Sequence, residues 1–185
     1  MNSVTVLFGI PIPSKSPVFL AVVGMHVVLG LSCVVTGLFA MFSRKGRGRH
    51  ARFGTAYFWC LTAAVVTASA LAFVRWAEEY PLFILGTLSF IAAYLARTAV
   101  RARWRYRLRL HLIGMGASYI LLLTAFYVDN GKNLPQWREL PQIAFWILPS
   151  ALGLPIVVYV LRRHPLAGWP RERASVPFGS GEKPR

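Results

Sequence analysis

The chain has 185 residues, 56% hydrophobic and 15% charged, with a formal net charge of +15 and a mean hydropathy of +0.51. Soluble domains carry about 25% charged residues, so this composition excludes an ordinary water-soluble globule and points to a bilayer. The positive charge lies in short segments between apolar runs, where membrane insertion and anionic lipid headgroups account for it, and a nucleic-acid partner is rejected on that ground.

Residues 1–17 contain Pro11, Pro13 and Pro17 and read as an extended lead-in. Five apolar stretches follow: Val18–Phe42, Phe53–Trp76, Leu82–Val100, Leu110–Val128 and Ile143–Leu161. Each approaches or exceeds the roughly 20 residues that a helix needs to cross a bilayer. The first is longer than the roughly 7–15 residues of a signal-peptide core, so it reads as a retained span. Between the first two, Ser43–Ala51 holds Gly46 and Gly48 and predicts a tight helical hairpin. Ala77–Pro81 predicts a second tight connection, flanked by Trp76 and Tyr80 where an aromatic belt would place them. Arg101–Arg109 alternates arginine with Ala, Trp, Tyr and Leu, a pattern suited to headgroup depth. Asp129–Gln142 is the longest connection, with Asn130-Gly131 as a turn signal and Pro135 and Pro141 bracketing it. Pro149, Gly153 and Pro155 predict a kinked fifth helix. Residues 162–185 are rich in Pro, Gly and charge and predict a basic, disordered tail. The spans leave no room for a second folded unit, so 18–161 is one membrane domain.

Seventeen of the twenty-one Lys and Arg fall on one side when the chain crosses five times, and only Lys15, Arg75, Lys132 and Arg138 fall on the other. The positive-inside rule then places the N-terminus outside and the C-terminus in the cytoplasm. The expected fold is all-α, an integral membrane bundle of five transmembrane helices.

Ionisable groups inside a membrane are costly and therefore functional candidates. His26 lies sixteen residues from Phe42, about 24 Å along a helix. It heads a stripe of small residues, Gly30, Cys33 and Gly37, that allows a neighbouring helix, a second copy or a membrane partner to pack closely. Thr67, Thr124 and Tyr127 lie at comparable depth as hydrogen-bond partners for it. Cys33 and Cys60 lack metal-type spacing and read as small packing residues on facing helices. His50 and His111 open the second and fourth spans at one depth. The same faces continue through Gly54 and Tyr57, and through Met115, Ser118 and Tyr119. Two imidazoles at one level, with room made by Gly54, Gly114 and Gly116, suit axial ligation of one haem b, with Arg97 and Arg52 near its propionates. With Met115, and with His26 as a further candidate, the same histidines suit a transition-metal ion, copper being the one a thioether favours. Interfacial histidines beside arginines also serve simply as headgroup contacts. No phosphate loop, zinc-protease helix or nucleophile elbow is present in the sequence, and no carboxylate lies within an apolar stretch.

His50-Ala-Arg-Phe-Gly54 with Tyr57, and His111-x3-Met115-x2-Ser118-Tyr119, resemble the motifs of a group of uncharacterised bacterial integral membrane proteins, domain of unknown function 2306. His26 and Gly30 are similar to a histidine-glycine feature there, and the resemblance covers roughly Met25 to Leu161. In this chain Leu follows His111 where that group usually has Arg, and Ala follows His50. The resemblance implies a multi-pass bacterial membrane protein whose histidines matter, and it carries no established activity; the expected location is the inner membrane. Two functional readings follow. One is a small haem-associated or redox protein; the other is a non-catalytic subunit or interaction component associating through the Gly30/Gly37 face. Metal handling is a third.

Overall fold

The computed structural model describes residues 5–7, 10–12, 17–44, 48–135 and 137–163. Five helices are long and apolar enough to cross a membrane. They are α1 (Pro17–Phe42), α2 (Arg49–Val74), α3 (Trp76–Arg101), α4 (Arg107–Asn130) and α5 (Gln142–Arg163). In the lead-in, two three-residue strands, β1 (Thr5–Leu7) and β2 (Ile10–Ile12), pair antiparallel with Val6 opposite Pro11. The expected extended segment is thus folded back on itself there. The tail from residue 164 and the Lys45–Arg47 part of the first basic loop lie outside the described residues.

Each helix begins before, or ends after, the apolar stretch that predicted it, because the interfacial residues remain helical. The expected loop at Ala77–Pro81 is a correction: the chain reverses at Arg75, which ends α2 and precedes α3. Glu78 and Glu79 occupy the first turn of α3, where the helix dipole favours negative charge, and Arg75 pairs with Glu78. His50 lies in the first turn of α2, opening the second span as expected. Pro149 and Pro155 sit inside one continuous α5, each removing a single backbone donor.

The turn after α3 is a helix cap with an unusual residue in it. Trp104 N–H donates to Ala99 O at 3.0 Å and Arg103 N–H donates to Val100 O at 3.3 Å, the bond pair of a Schellman motif. Arg103 occupies the left-handed position that glycine normally fills, with φ of 55°.

The helices run antiparallel to their chain neighbours, as side-chain contacts along each pair require. Phe58 meets Phe90 while Thr55 meets Arg97 across α2 and α3. Ser118 meets Ser89 while His111 meets Ala96 across α4 and α3. The packing is most extensive within the hairpins α1–α2 and α3–α4, and α5 lies against the back of α4. Glycines on α4 and its neighbours seat this contact: a Cβ on Gly116 would meet Val157, and one on Gly131 would meet Phe145.

The distribution of side chains is the reverse of a soluble bundle. Most buried positions are small or hydroxyl-bearing, including Cys33, Thr67, Ser89, Ala93, Ala96 and Ser118, with Phe58, Leu61 and Phe145 among the larger exceptions. Large apolar residues such as Leu31, Phe42, Phe73, Ile143 and Leu152 face outward. Lipid is as apolar as leucine, so burying large aliphatics gains little there, whereas small residues let helices approach. The chain is a multi-pass membrane protein.

Candidate functional site

The basic end of the bundle brings the two predicted histidines together. His50 on α2 and His111 on α4 have ring centroids 6.1 Å apart and ring planes inclined at 78°. Each ring is oriented by the helix beside it. His50 Nδ1 lies 2.8 Å from the carbonyl of Ala40 in α1. His111 Nδ1 lies 3.4 Å from the carbonyl of Ala96 in α3, a longer contact. A carbonyl only accepts, so the nitrogen facing it must donate. His50 therefore has its hydrogen on Nδ1, and the same tautomer suits His111. In that tautomer Nε2 carries the ring lone pair, the arrangement by which metal-ligating histidines are held from behind by a backbone carbonyl. Among the described residues, no group of three or more His, Cys, Asp and Glu is placed to hold a metal ion.

The alanines at both anchor points matter because a small side chain leaves the carbonyl approachable. In α3, Ser89, Ala93, Ala96 and Ala99 form a buried line along the helix. Gly114 of α4 is pressed against it: a Cβ there would stand 2.8 Å from both Ala92 O and Ala96 Cβ. Gly116 is turned to α5 and closed by Val157, whereas nothing lies within 4 Å of a Cβ on Gly54. Of the three glycines expected to make room beside the histidines, Gly54 alone borders open space.

Tyr57 and Tyr119 lie deeper, with rings 6.2 Å apart. Tyr57 is fully buried and its hydroxyl pairs with Ser118 Oγ at 2.8 Å. Ser89 Oγ donates to Ser118 O at 2.8 Å and stands 3.1 Å from Ser118 Oγ. Tyr119 O–H donates to Val34 O in α1 at 3.0 Å. These bonds tie α1, α2, α3 and α4 together in the middle of the bundle. Met115 packs at the edge of the core cluster formed by Cys33, Tyr57, Phe58, Leu61 and Ala93. Cys60 packs against the same cluster, and Cys33 and Cys60 are both free thiols.

His26 is not part of the pair. Its Nδ1 lies 2.9 Å from Thr67 Oγ1 and 3.1 Å from Ala64 O. The Thr67 hydroxyl is directed to carbonyls of its own helix at 2.9 and 3.1 Å, so it accepts from the imidazole. His26 is thus a buried-face histidine anchoring α1 to α2, and Thr67 is one of the partners expected for it. Arg97 turns to the α2–α3 groove, where it stacks 4.8 Å above Phe58 and reaches Thr55 Oγ1 at 3.4 Å. The stripe on α1 divides as well: Gly37 seats Tyr119 and Tyr57 within the bundle, while Gly30 borders open space.

Sequence reasoning did not find Ser89 or the backbone anchors at Ala40 and Ala96. The spacing Ser89, Ala93, Ala96 and Ala99 was the available signal, a small-residue face one turn apart on α3. No family model, curated protein or solved structure matches the chain.

Proposed function

We propose that this chain is a five-span protein of the bacterial inner membrane, with its arginine-rich end and C-terminus in the cytoplasm, that holds a redox centre between His50 and His111. The observation carrying this reading is the ring separation of 6.1 Å with both Nδ1 atoms turned to carbonyls. A separation of this size is within reach of two imidazoles that would share one metal at metal–nitrogen bonds of about 2.1 Å. The leading assignment is a single haem, which His50 and His111 would hold and which would supply one-electron redox chemistry. A bare transition-metal ion is the second reading, copper being the one that the Met115 thioether would favour beside the imidazoles. It is favoured by the closure of Gly114 and Gly116, which leaves less space for a macrocycle.

The test is purification in mild detergent after expression with haem and copper supplied, followed by oxidised and reduced visible spectra and metal analysis. A haem spectrum lost in His50→Ala and His111→Ala supports the first assignment. About one ion per chain without that spectrum, lost in the same variants, supports the second. A colourless protein without stoichiometric metal would overturn both. Orientation is read separately, by a C-terminal reporter that is active only outside the cytoplasm; activity there would overturn the proposed topology.

A further inference from the structure

Arg97 poses a problem that the histidine pair does not solve. It sits inside the apolar span, one helical turn (about 6 Å) before Arg101 ends α3. A guanidinium at such depth is costly unless it reaches the interface or a counter-charge. The four described carboxylates, Glu78, Glu79, Asp129 and Glu139, all lie at the opposite end of the bundle. Arg97 is instead held in place by neutral groups, the Phe58 ring at 4.8 Å and Thr55 Oγ1 at 3.4 Å. Thr55 engages one of its five N–H donors.

The α2–α3 seam beneath this arginine is aromatic, and its outer rings are exposed. Phe58 meets Trp59 at 5.6 Å and Phe90 at 5.9 Å, and Phe90 meets Tyr94 at 6.1 Å. These four rings form a continuous strip along the α2–α3 seam, with Trp59 62% and Tyr94 52% exposed. Above the strip, Arg101 lies four residues beyond Arg97 on the same helix face, and Arg52 lies one turn from Thr55 on α2. The cleft therefore offers a fork of positive charge at headgroup level and an apolar ring surface below it.

We propose that this α2–α3 cleft binds one anionic phospholipid, its phosphate held by Arg97 and Arg101 and an acyl chain lying on Trp59, Phe90 and Tyr94. Charge complementarity selects this occupant. A planar guanidinium suits phosphate oxygens, and exposed aromatic rings suit a hydrocarbon chain. A second copy of the same cleft would place arginines against arginines. This site lies on the α2–α3 face, apart from the His50–His111 pair, and does not depend on any centre held there.

The test uses the full chain in phosphatidylcholine vesicles containing a minor share of either phosphatidylglycerol or phosphatidylcholine with brominated acyl chains, which quench nearby tryptophan. Brominated phosphatidylglycerol is expected to quench more strongly, and Trp59→Phe should abolish the difference. Arg97→Gln and, independently, Arg101→Gln should each lower the preference about fivefold, the effect of one basic contact at a membrane surface. Arg105→Gln, in the α3–α4 connection, should leave it unchanged, and circular dichroism confirms that each variant is folded. Equal quenching by the two lipids overturns the proposal, as does a preference that survives both Arg97→Gln and Arg101→Gln in folded protein. Inorganic phosphate in excess should not relieve the quenching; relief would make the occupant a free anion and overturn the lipid assignment.

Discussion

Replacing Gly114 by alanine tests how the histidine pair is held. A Cβ at this position stands 2.8 Å from Ala92 O and 2.8 Å from Ala96 Cβ. Ordinary contacts between such atoms are about 3.5 Å or more, so α3 and α4 must separate by about 0.7 Å. One obstacle is backbone and the other is an alanine methyl, so no side chain can swing aside. Overpacking of this kind costs about 1–3 kcal/mol. Gly54→Ala is the matched control, because nothing lies within 4 Å of its added Cβ. Alanine in place of a mid-helix glycine stabilises by about 0.5–1 kcal/mol. The two substitutions therefore act in opposite directions although both add one methyl group beside a histidine. Equilibrium unfolding in mixed detergent micelles, followed by helical circular dichroism, should show Gly114→Ala shifted to lower denaturant and Gly54→Ala level with or above the parent. The same shift should weaken the His111 anchor, since Ala96 supplies both the obstructing methyl and the carbonyl 3.4 Å from Nδ1. Parent-like stability in Gly114→Ala, or equal damage from both changes, would refute the close α3–α4 packing on which this rests.

Three further outcomes follow from named contacts. His26→Ala should lower stability by about 0.6 kcal/mol and by no more than about 1.7, the mean and maximum for interhelical hydrogen bonds in membranes, while leaving any haem spectrum or bound metal intact. Tyr57→Phe removes one bond of the central network and should cost about 1 kcal/mol in the same unfolding assay, with Ser118 still partnered by Ser89. Arg103→Gly relieves a left-handed residue at the α3 cap and should raise stability by about 1 kcal/mol, whereas Arg103→Ala should not.

The five helices were legible because length and apolarity are local properties, and each span is read without knowing its neighbours. Helix ends were less legible: Glu78, Glu79 and Pro81 look like loop residues, yet the dipole favours the two glutamates in the first turn and α3 continues through Pro81 at the loss of one backbone donor. The pairing of His50 with His111 followed from equal depth, a quantity that counting from the membrane surface supplies. What counting along the chain cannot supply is rotation about each helix axis. Rotation decides that Arg97 turns to Phe58, that Gly114 is filled by α3, and that Gly54 is not. It also decides that His26 meets Thr67 rather than Thr124 or Tyr127. Small residues mark where helices touch but not which helix arrives, so the Gly30/Gly37 stripe could not announce that one end serves Tyr119 within the bundle.

The two imidazoles belong to different hairpins, and that sets the demands on the rest of the interior. His50 is anchored by α1, its own hairpin partner, and His111 is directed to α3, its own partner. Each hairpin can therefore orient one ring, but the distance between the rings depends on how the two hairpins sit together. Among the described residues that join them, Tyr57 to Ser118 links α2 to α4, and Tyr119 to Val34 links α4 to α1. Both links lie deeper than the histidines, at a level where water does not compete for the hydroxyls, and no buried polar side-chain atom among the described residues lacks a partner. Gly37 allows the second link by leaving space for the Tyr119 ring beside α1. The buried hydroxyls and glycines thus act as positioning elements: they fix the spacing between hairpins, and the spacing between hairpins fixes the spacing of His50 and His111.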